Sequence, residues 1–308
     1  MSALNASSTS RSDTRLDDLV EPASALECIA SGFVFVEGPA WHAGLQSLVF
    51  SDIIGDTLYR WNRPDGIGVF REPSHMANGN AWDREGRLLT CEHATSRVSR
   101  THADGHYEVL ASHYTGRELN SPNDIVVRRD GSIYFTDPNS GRTARYGVER
   151  EQELPFQGVF RLDAATGGLA LLADDFSKPN GLCFSLDETR LFVNDTDRQH
   201  IRAFDVRADG TIAGGQVWAE TGGTEPGVAD GMKFDSCGNL YCCGSGGIHV
   251  FDRDARRIGI IRTPEVAANL SWGGATLTDL FITARTSVYR LKTHVPGHDP
   301  LMRTGRSG

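Results

Sequence analysis

Positive charge is in short supply in this 308-residue chain: 31 Lys and Arg face 40 Asp and Glu, for a formal net charge of −9. A nucleic-acid or anionic-membrane surface needs a concentrated basic face, so neither partner is expected. No apolar stretch is long enough to span a bilayer. Residues 1–20, MSALNASSTSRSDTRLDDLV, lack the apolar core of a secretion signal and read as a disordered polar tail, which points to a cytoplasmic protein. The cysteines (Cys28, Cys91, Cys183, Cys237, Cys242 and Cys243) show no CxxC spacing, and the adjacent Cys242 and Cys243 would face opposite sides of a strand. Reduced thiols are therefore expected, not a disulfide framework or a zinc site. The Gly-x-Ser-x-Gly elbow of serine hydrolases is missing too. Its nearest match, Cys243-Gly244-Ser245-Gly246-Gly247, falls on a strand and not at a strand-to-helix turn.

What is present is a repeated hairpin. In NSPNDIVVRRDGSIYFTDP, residues 120–138, a polar Asn123 opens a β-branched run at 125–127, Asp130-Gly131 reverses the chain, and a second run at 133–135 leads to Asp137. Short alternating runs around Asp-Gly favour paired strands, because glycine accepts the positive φ of a tight turn. The same unit recurs as EGPAWHAGLQSLVFSD from Glu37, NGNAWDREGRLLTCEH from Asn78, NGLCFSLDETRLFVND from Asn180, DGMKFDSCGNLYCCGS from Asp230 and NLSWGGATLTDLFITA from Asn269. The six copies start at intervals of 41, 45, 57, 50 and 39 residues, a spacing that suits four short strands per unit. Apolar residues three and four apart, which helical repeats would show, do not recur.

Further strand-like runs follow each hairpin, as at 57–61, 158–162 and 201–206. The expected fold is all-β: a six-bladed β-propeller of four-stranded antiparallel blades forming one domain over 21–308. Little chain remains after Leu291 to complete the sixth blade. The run at 26–30 is expected to close it as the outer strand.

The first strand of a propeller blade is innermost, so the residues that open the six copies should gather at one end of the central channel. These openers are Glu37, Asn78, Asn123, Asn180, Asp230 and Asn269, all carboxylates or carboxamides. A ring of oxygen donors suits a hard divalent cation such as Ca²⁺ or Mg²⁺. The competing account is that Asn-Gly and Asp-Gly simply make turns, although Glu37, a poor turn residue, shares the register. Asp52, His93, Asp137, Asp195 and Ser245 end the second strands and form a second polar tier. For these the plainer reading is stronger: aspartates capping backbone amides and an interior histidine with satisfied nitrogens. The longest interval holds a loop at 139–157 with Arg142, Arg145, Tyr146 and Arg150, placed to cover a hydroxylated or anionic substrate or else a solvated excursion.

Glu37-Gly38-Pro39, Ser121-Pro122-Asn123-Asp124, Pro179-Asn180-Gly181 and Ala229-Asp230-Gly231, in that order, resemble the SMP-30/gluconolactonase/LRE-like family of six-bladed propeller lactonases over about residues 26–292. The resemblance implies one divalent cation, usually calcium with Mg²⁺, Mn²⁺ or Zn²⁺ as alternatives, held by Glu37, Asn180 and Asp230. It further implies a small-molecule sugar lactone as substrate, with Asn123 beside the metal and Asp230 as general base. Asn78, His93 and Tyr146 join Asn123 as candidate substrate contacts. The family's animal branch carries an arginine two residues before the Asn123 position. Here that residue is Ser121, and the NSPND pattern is that of the microbial gluconolactonase branch.

The implied reaction is lactone hydrolysis: a metal polarises the carbonyl and a carboxylate takes the proton of the attacking water. Asp230 is the first candidate base and Glu37 the alternative. Two other functions suit the same architecture, a non-catalytic binding propeller with a structural cation and a phosphotriesterase or aryl esterase using the same centre.

Overall fold

The structure, a computed structural model, describes residues 15–298. Every repeated hairpin is the inner pair of a four-stranded antiparallel sheet, and six such sheets form the six-bladed β-propeller. The first blade runs outward through Val36–His42, Ser47–Asp52, Thr57–Asn62 and Gly66–Arg71. The third runs through Ile125–Val127, Ile133–Asp137, Gln157–Leu162 and Leu169–Phe176. Its inner pair has the register expected from the alternation, with Ile125 opposite Phe135 and Val127 opposite Ile133. Gly131 takes the turn at φ +89°.

The last sheet is closed by the first strand among the described residues. Glu27–Ser31 pairs antiparallel with Ser287–Lys292, one residue later than the run at 26–30. The tail expected over 1–20 is packed in its final part. Leu16–Asp18 form a 3₁₀ turn, Leu19 and Val20 are buried in the cluster shared by the fifth and sixth blades, and Val20 bridges Thr293. Leu16, Leu19 and Val20 are too few apolar residues to register as an element in sequence, so among the described residues the boundary set at residue 20 moves back to Arg15. Residues 1–14 and 299–308 lie outside the described part.

The core lies between neighbouring blades, where the apolar faces of twisted sheets meet. Trp41 of the first blade stacks on Phe281 of the sixth at 5.3 Å, and Phe192 of the fourth meets Phe234 of the fifth edge-on at 5.1 Å. Cys242 and Cys243 belong to different clusters, as their alternation on one strand requires, and all six cysteines are free thiols. Among the described residues no helix is long and apolar enough to cross a membrane.

Candidate functional site

All six inner strands run the same way along the channel, which gathers the openers at one end. There the blades are locked to one another at a common register. Ser51 Oγ donates to the Asn78 carbonyl (2.6 Å), the Gly79 N–H to Asn123 (2.8 Å) and Thr136 Oγ1 to Asn180 (2.7 Å). Asn194 Nδ2 donates to the Asp230 carbonyl, and the Gly231 N–H to Ala268 (2.8 Å). The glycines after four of the openers make room for this approach. A Cβ at Gly38 would sit 1.9 Å from the Asn78 carbonyl oxygen, and one at Gly181 would sit 2.2 Å from that of Asp230. These pairs lead into inner strands, so the turn-making account of Asn-Gly and Asp-Gly does not apply to them.

The side chains of this ring connect across four blades. Glu37 Oε2 accepts from the Gly38 N–H (2.5 Å) and from Asn269 Nδ2 (2.9 Å). Glu37 and Asn180 both lie near enough to Asp230 to act on its ionisation, the carboxylate raising its pKa and the carboxamide lowering it. Asn180 Nδ2 also donates to Thr196 Oγ1 at 3.0 Å. Burial pushes Glu37 up to about 7, opposed by the Gly38 N–H and reinforced by the charge of Asp124. Asp230 is carried well above the ordinary carboxylate range, first by burial and then by repulsion from Glu37 and Asp124. It still keeps some contact with solvent at the mouth of the channel.

Asp124 is a third carboxylate in this space and had no assigned role in the sequence reading. Its Oδ1 accepts from the Ile125 N–H (2.9 Å); its buried Oδ2 has no hydrogen-bond partner among the described residues and lies 3.9 Å from Lys233 Nζ. A signal was present in the alignment of the repeats, because Asp124 stands where four copies carry glycine.

Three carboxylates in a desolvated space with weak cationic compensation form a site that a divalent cation would relieve. No cluster of three or more His, Cys, Asp or Glu is disposed for a metal among the described residues. The donors on offer are instead a mixed set, the carboxylates of Glu37 and Asp230 with the carboxamide of Asn180. All-oxygen donors of this kind fit Ca²⁺ or Mg²⁺, and the ring offers no thiolate for zinc.

The other expected contacts divide. Asn123 is held in the ring by its backbone, its N–H donating to the Thr136 carbonyl (2.8 Å) and its carbonyl accepting from Gly79. Asn78 Nδ2 meets His93 Nε2 at 3.0 Å, and His93 Nδ1 meets the Tyr146 carbonyl at 2.9 Å. The carbonyl can only accept, so Nδ1 carries the proton and Nε2 accepts from Asn78. With both nitrogens engaged and the ring buried, His93 orients Asn78 instead of reaching a substrate. Burial lowers its pKa to about 4. Tyr146 sits in the 139–157 loop with its ring against Phe35 at 5.4 Å, so the loop crosses from the third blade to the lead-in of Glu37.

The second tier follows its plainer reading. Asp52 accepts from the Val34 and Phe35 N–H groups, Asp137 from Asn120 and Ser121, and Asp195 from Ser177 and Lys178. In each blade these amides lie three and two residues before the opener, so the aspartates fix the backbone that presents it. Ser245 Oγ donates to the Glu225 carbonyl (2.6 Å). Two of the loop arginines are struts. Arg142 binds the Leu119 and Asn120 carbonyls and Glu118 Oε2, and Arg150 binds the His93 carbonyl and Ser96 Oγ. Arg145 is exposed, with its guanidinium 4.9 Å from the centre of the Tyr146 ring. Ser121 is buried, donating to the Pro138 carbonyl and accepting from the Gly141 N–H (2.9 Å), so it ties down the start of the loop.

The fold and the ring together define a six-bladed propeller with a buried carboxylate and carboxamide centre at one end of its channel. The chain belongs to the SMP-30/gluconolactonase/LRE-like family, whose profile matches residues 35–286. It is 30% identical to a gluconolactonase of Zymomonas mobilis over 92% of this chain and 85% of that one. It is 27% identical to the pentonolactonase XacC of Haloferax volcanii over 80% of each. A gluconolactonase structure from Xanthomonas campestris superposes with a TM-score of 0.80 at 36% identity, covering 87% of this chain and 89% of that one.

Proposed function

We propose that this protein is a metal-dependent hydrolase that opens a sugar lactone. The observation that carries the reading is the buried Glu37–Asp230 carboxyl pair at one end of the channel, with Asn269 bonded to Glu37 and Asn180 beside Asp230. Relatives named gluconolactonase and pentonolactonase support the substrate class.

In this reading Glu37, Asn180 and Asp230 hold one divalent cation, calcium before magnesium. Bound there, the cation supplies Lewis-acid polarisation of the lactone carbonyl and keeps both carboxylates ionised at neutral pH. Asp230 accepts the proton of the attacking water, since among the two ring carboxylates it retains solvent contact, whereas Glu37 is enclosed and tied to Asn269. Asn123 and Asn78 orient the water or the lactone, with His93 fixing the carboxamide of Asn78. Tyr146 covers the mouth from the loop side.

The test is turnover of D-glucono-δ-lactone and a panel of five- and six-membered aldonolactones, before and after rigorous chelation and after Ca²⁺ is restored. Turnover that disappears on chelation and returns with calcium is expected. Undiminished turnover by metal-free protein overturns the cation's role, and inactivity of the calcium-loaded protein across the whole panel overturns the substrate class.

A further inference from the structure

The inner strand of the fifth blade, Met232–Phe234, carries a lysine between two apolar residues. Met232 and Phe234 are buried in the cluster shared by the fourth and fifth blades, while Lys233 borders a cavity of about 420 Å³ in the channel. Its ammonium donates to the Met232 carbonyl at 3.1 Å and lies 3.9 Å from Asp124 Oδ2. Asp124 leads into the inner strand of the third blade, so the pair reaches past the fourth.

The Lys233 side chain is 26% exposed and that of Asp124 only 4%, and charges withdrawn from water to this degree are unfavourable without a counter-charge. At 3.9 Å the two groups are too far apart for a direct hydrogen bond, so what acts between them is charge. Lys233 is the one ion-pair partner of Asp124 among the described residues, and the Oδ2 atom facing it has no hydrogen-bond partner there. The charge of Asp124 in turn bears on both Glu37 and Asp230. An ammonium in this position offsets the mutual repulsion of the carboxylates and opposes any further cation brought among them.

We propose that Lys233 is the built-in counter-charge of the carboxylate centre: through Asp124 it stabilises the metal-free ring, and it lowers the ring's affinity for a divalent cation. The second half rests on the assignment of a cation to Glu37, Asn180 and Asp230; the first half does not. Lys233 is a positioning residue, acting on the centre through Asp124 and through its charge.

Two measurements on the full chain test this. Metal-stripped protein is melted as the parent, Lys233→Met, Asp124→Asn and the double variant. Lys233→Met is expected to melt about 5 °C below the parent, and to cost about 2 °C or less once residue 124 is Asn. Equal losses in both backgrounds overturn the pairing. Calcium is then titrated calorimetrically into the parent, Lys233→Met and Lys233→Arg, whose longer side chain the cavity can receive. Lys233→Met is expected to bind calcium about tenfold tighter than the parent, and Lys233→Arg within about threefold of it. Unchanged or weaker binding by Lys233→Met overturns the counter-charge, because a lysine that only packs leaves the affinity alone or, when removed, loosens the ring. Binding by Lys233→Arg as tight as by Lys233→Met overturns it as well, since charge is then not what changed. Lys233→Gln gives the same readings where Lys233→Met fails to fold. A parent that takes up no calcium removes the cation assignment and with it the second half of the proposal, while the melts still decide the first.

Discussion

The two ends of the channel are built by the same inner strands yet differ in chemistry. At one end stand Glu37, Asn78, Asn123, Asn180 and Asp230; four residues further along the same strands stand Trp41, Trp82, Val127, Phe184 and Phe234. The repeat thus carries two position-specific instructions, a polar one that faces charge and an aromatic one that makes a wall. The polar end is fixed from behind by paired elements, the aspartates holding lead-in amides and the blade-to-blade carbonyl contacts. The aromatic end is fixed mainly by packing between sheets.

The comparison is broken most severely by Asp230→Asn, which keeps the shape and removes the proposed base. A fall in turnover of roughly a thousandfold is expected, with weak calcium binding retained by titration, whereas Trp272→Phe at the aromatic end should leave turnover within about twofold. Near-normal turnover by Asp230→Asn would show that another group takes the proton.

A smaller effect comes from His93, which is buried and neutral with its pKa lowered to about 4 from 6.5. The unfolded chain binds this proton and the folded chain does not. Its contribution is therefore complete above about pH 6.5 and is lost as pH falls toward 4, to a limit of roughly 3 kcal/mol. Urea melts from pH 7 to pH 4 should show a shallower loss of stability in His93→Gln than in the parent; equal slopes would remove His93 from the balance.

The smallest perturbation acts through backbone spacing alone. Gly181→Ala places a methyl 2.2 Å from the Asp230 carbonyl, so the fourth and fifth blades must separate at the ring. A loss of about 2 kcal/mol in stability is expected, together with weaker calcium binding. A variant with unchanged melting and calcium affinity would mean that the ring tolerates the displacement.

Much of this was legible in the sequence because a propeller repeats a local signal. Hairpins such as 123–138 announce their strands through alternation and Asp-Gly turns, and six of them in register announce the ring. What escaped lies in contacts between distant residues. That Gly38 yields to Asn78, or Gly181 to Asp230, becomes visible only when adjacent blades touch, so a steric requirement looked like turn chemistry. Asp124 was masked by its place inside a motif, and the roles of Asp52, Asp137 and Asp195 emerged only with the amides they accept from. Arg142 and Arg150 looked available for a substrate because a loop sequence does not reveal which of its charges turn inward.

The closing strand carries a consequence for how the site comes into being. Glu27 and Arg290, paired across the last sheet, are 263 residues apart, and Glu37 follows that strand directly and bonds to Asn269 across the junction of first and last blades. During synthesis the earliest strand must wait, its edge unpaired, until Ser287–Lys292 emerges. The carboxylate centre is thus joined at the seam only after the sixth blade has emerged, and a ribosome-bound chain short of that blade lacks the Glu37–Asn269 contact that ties the ring together.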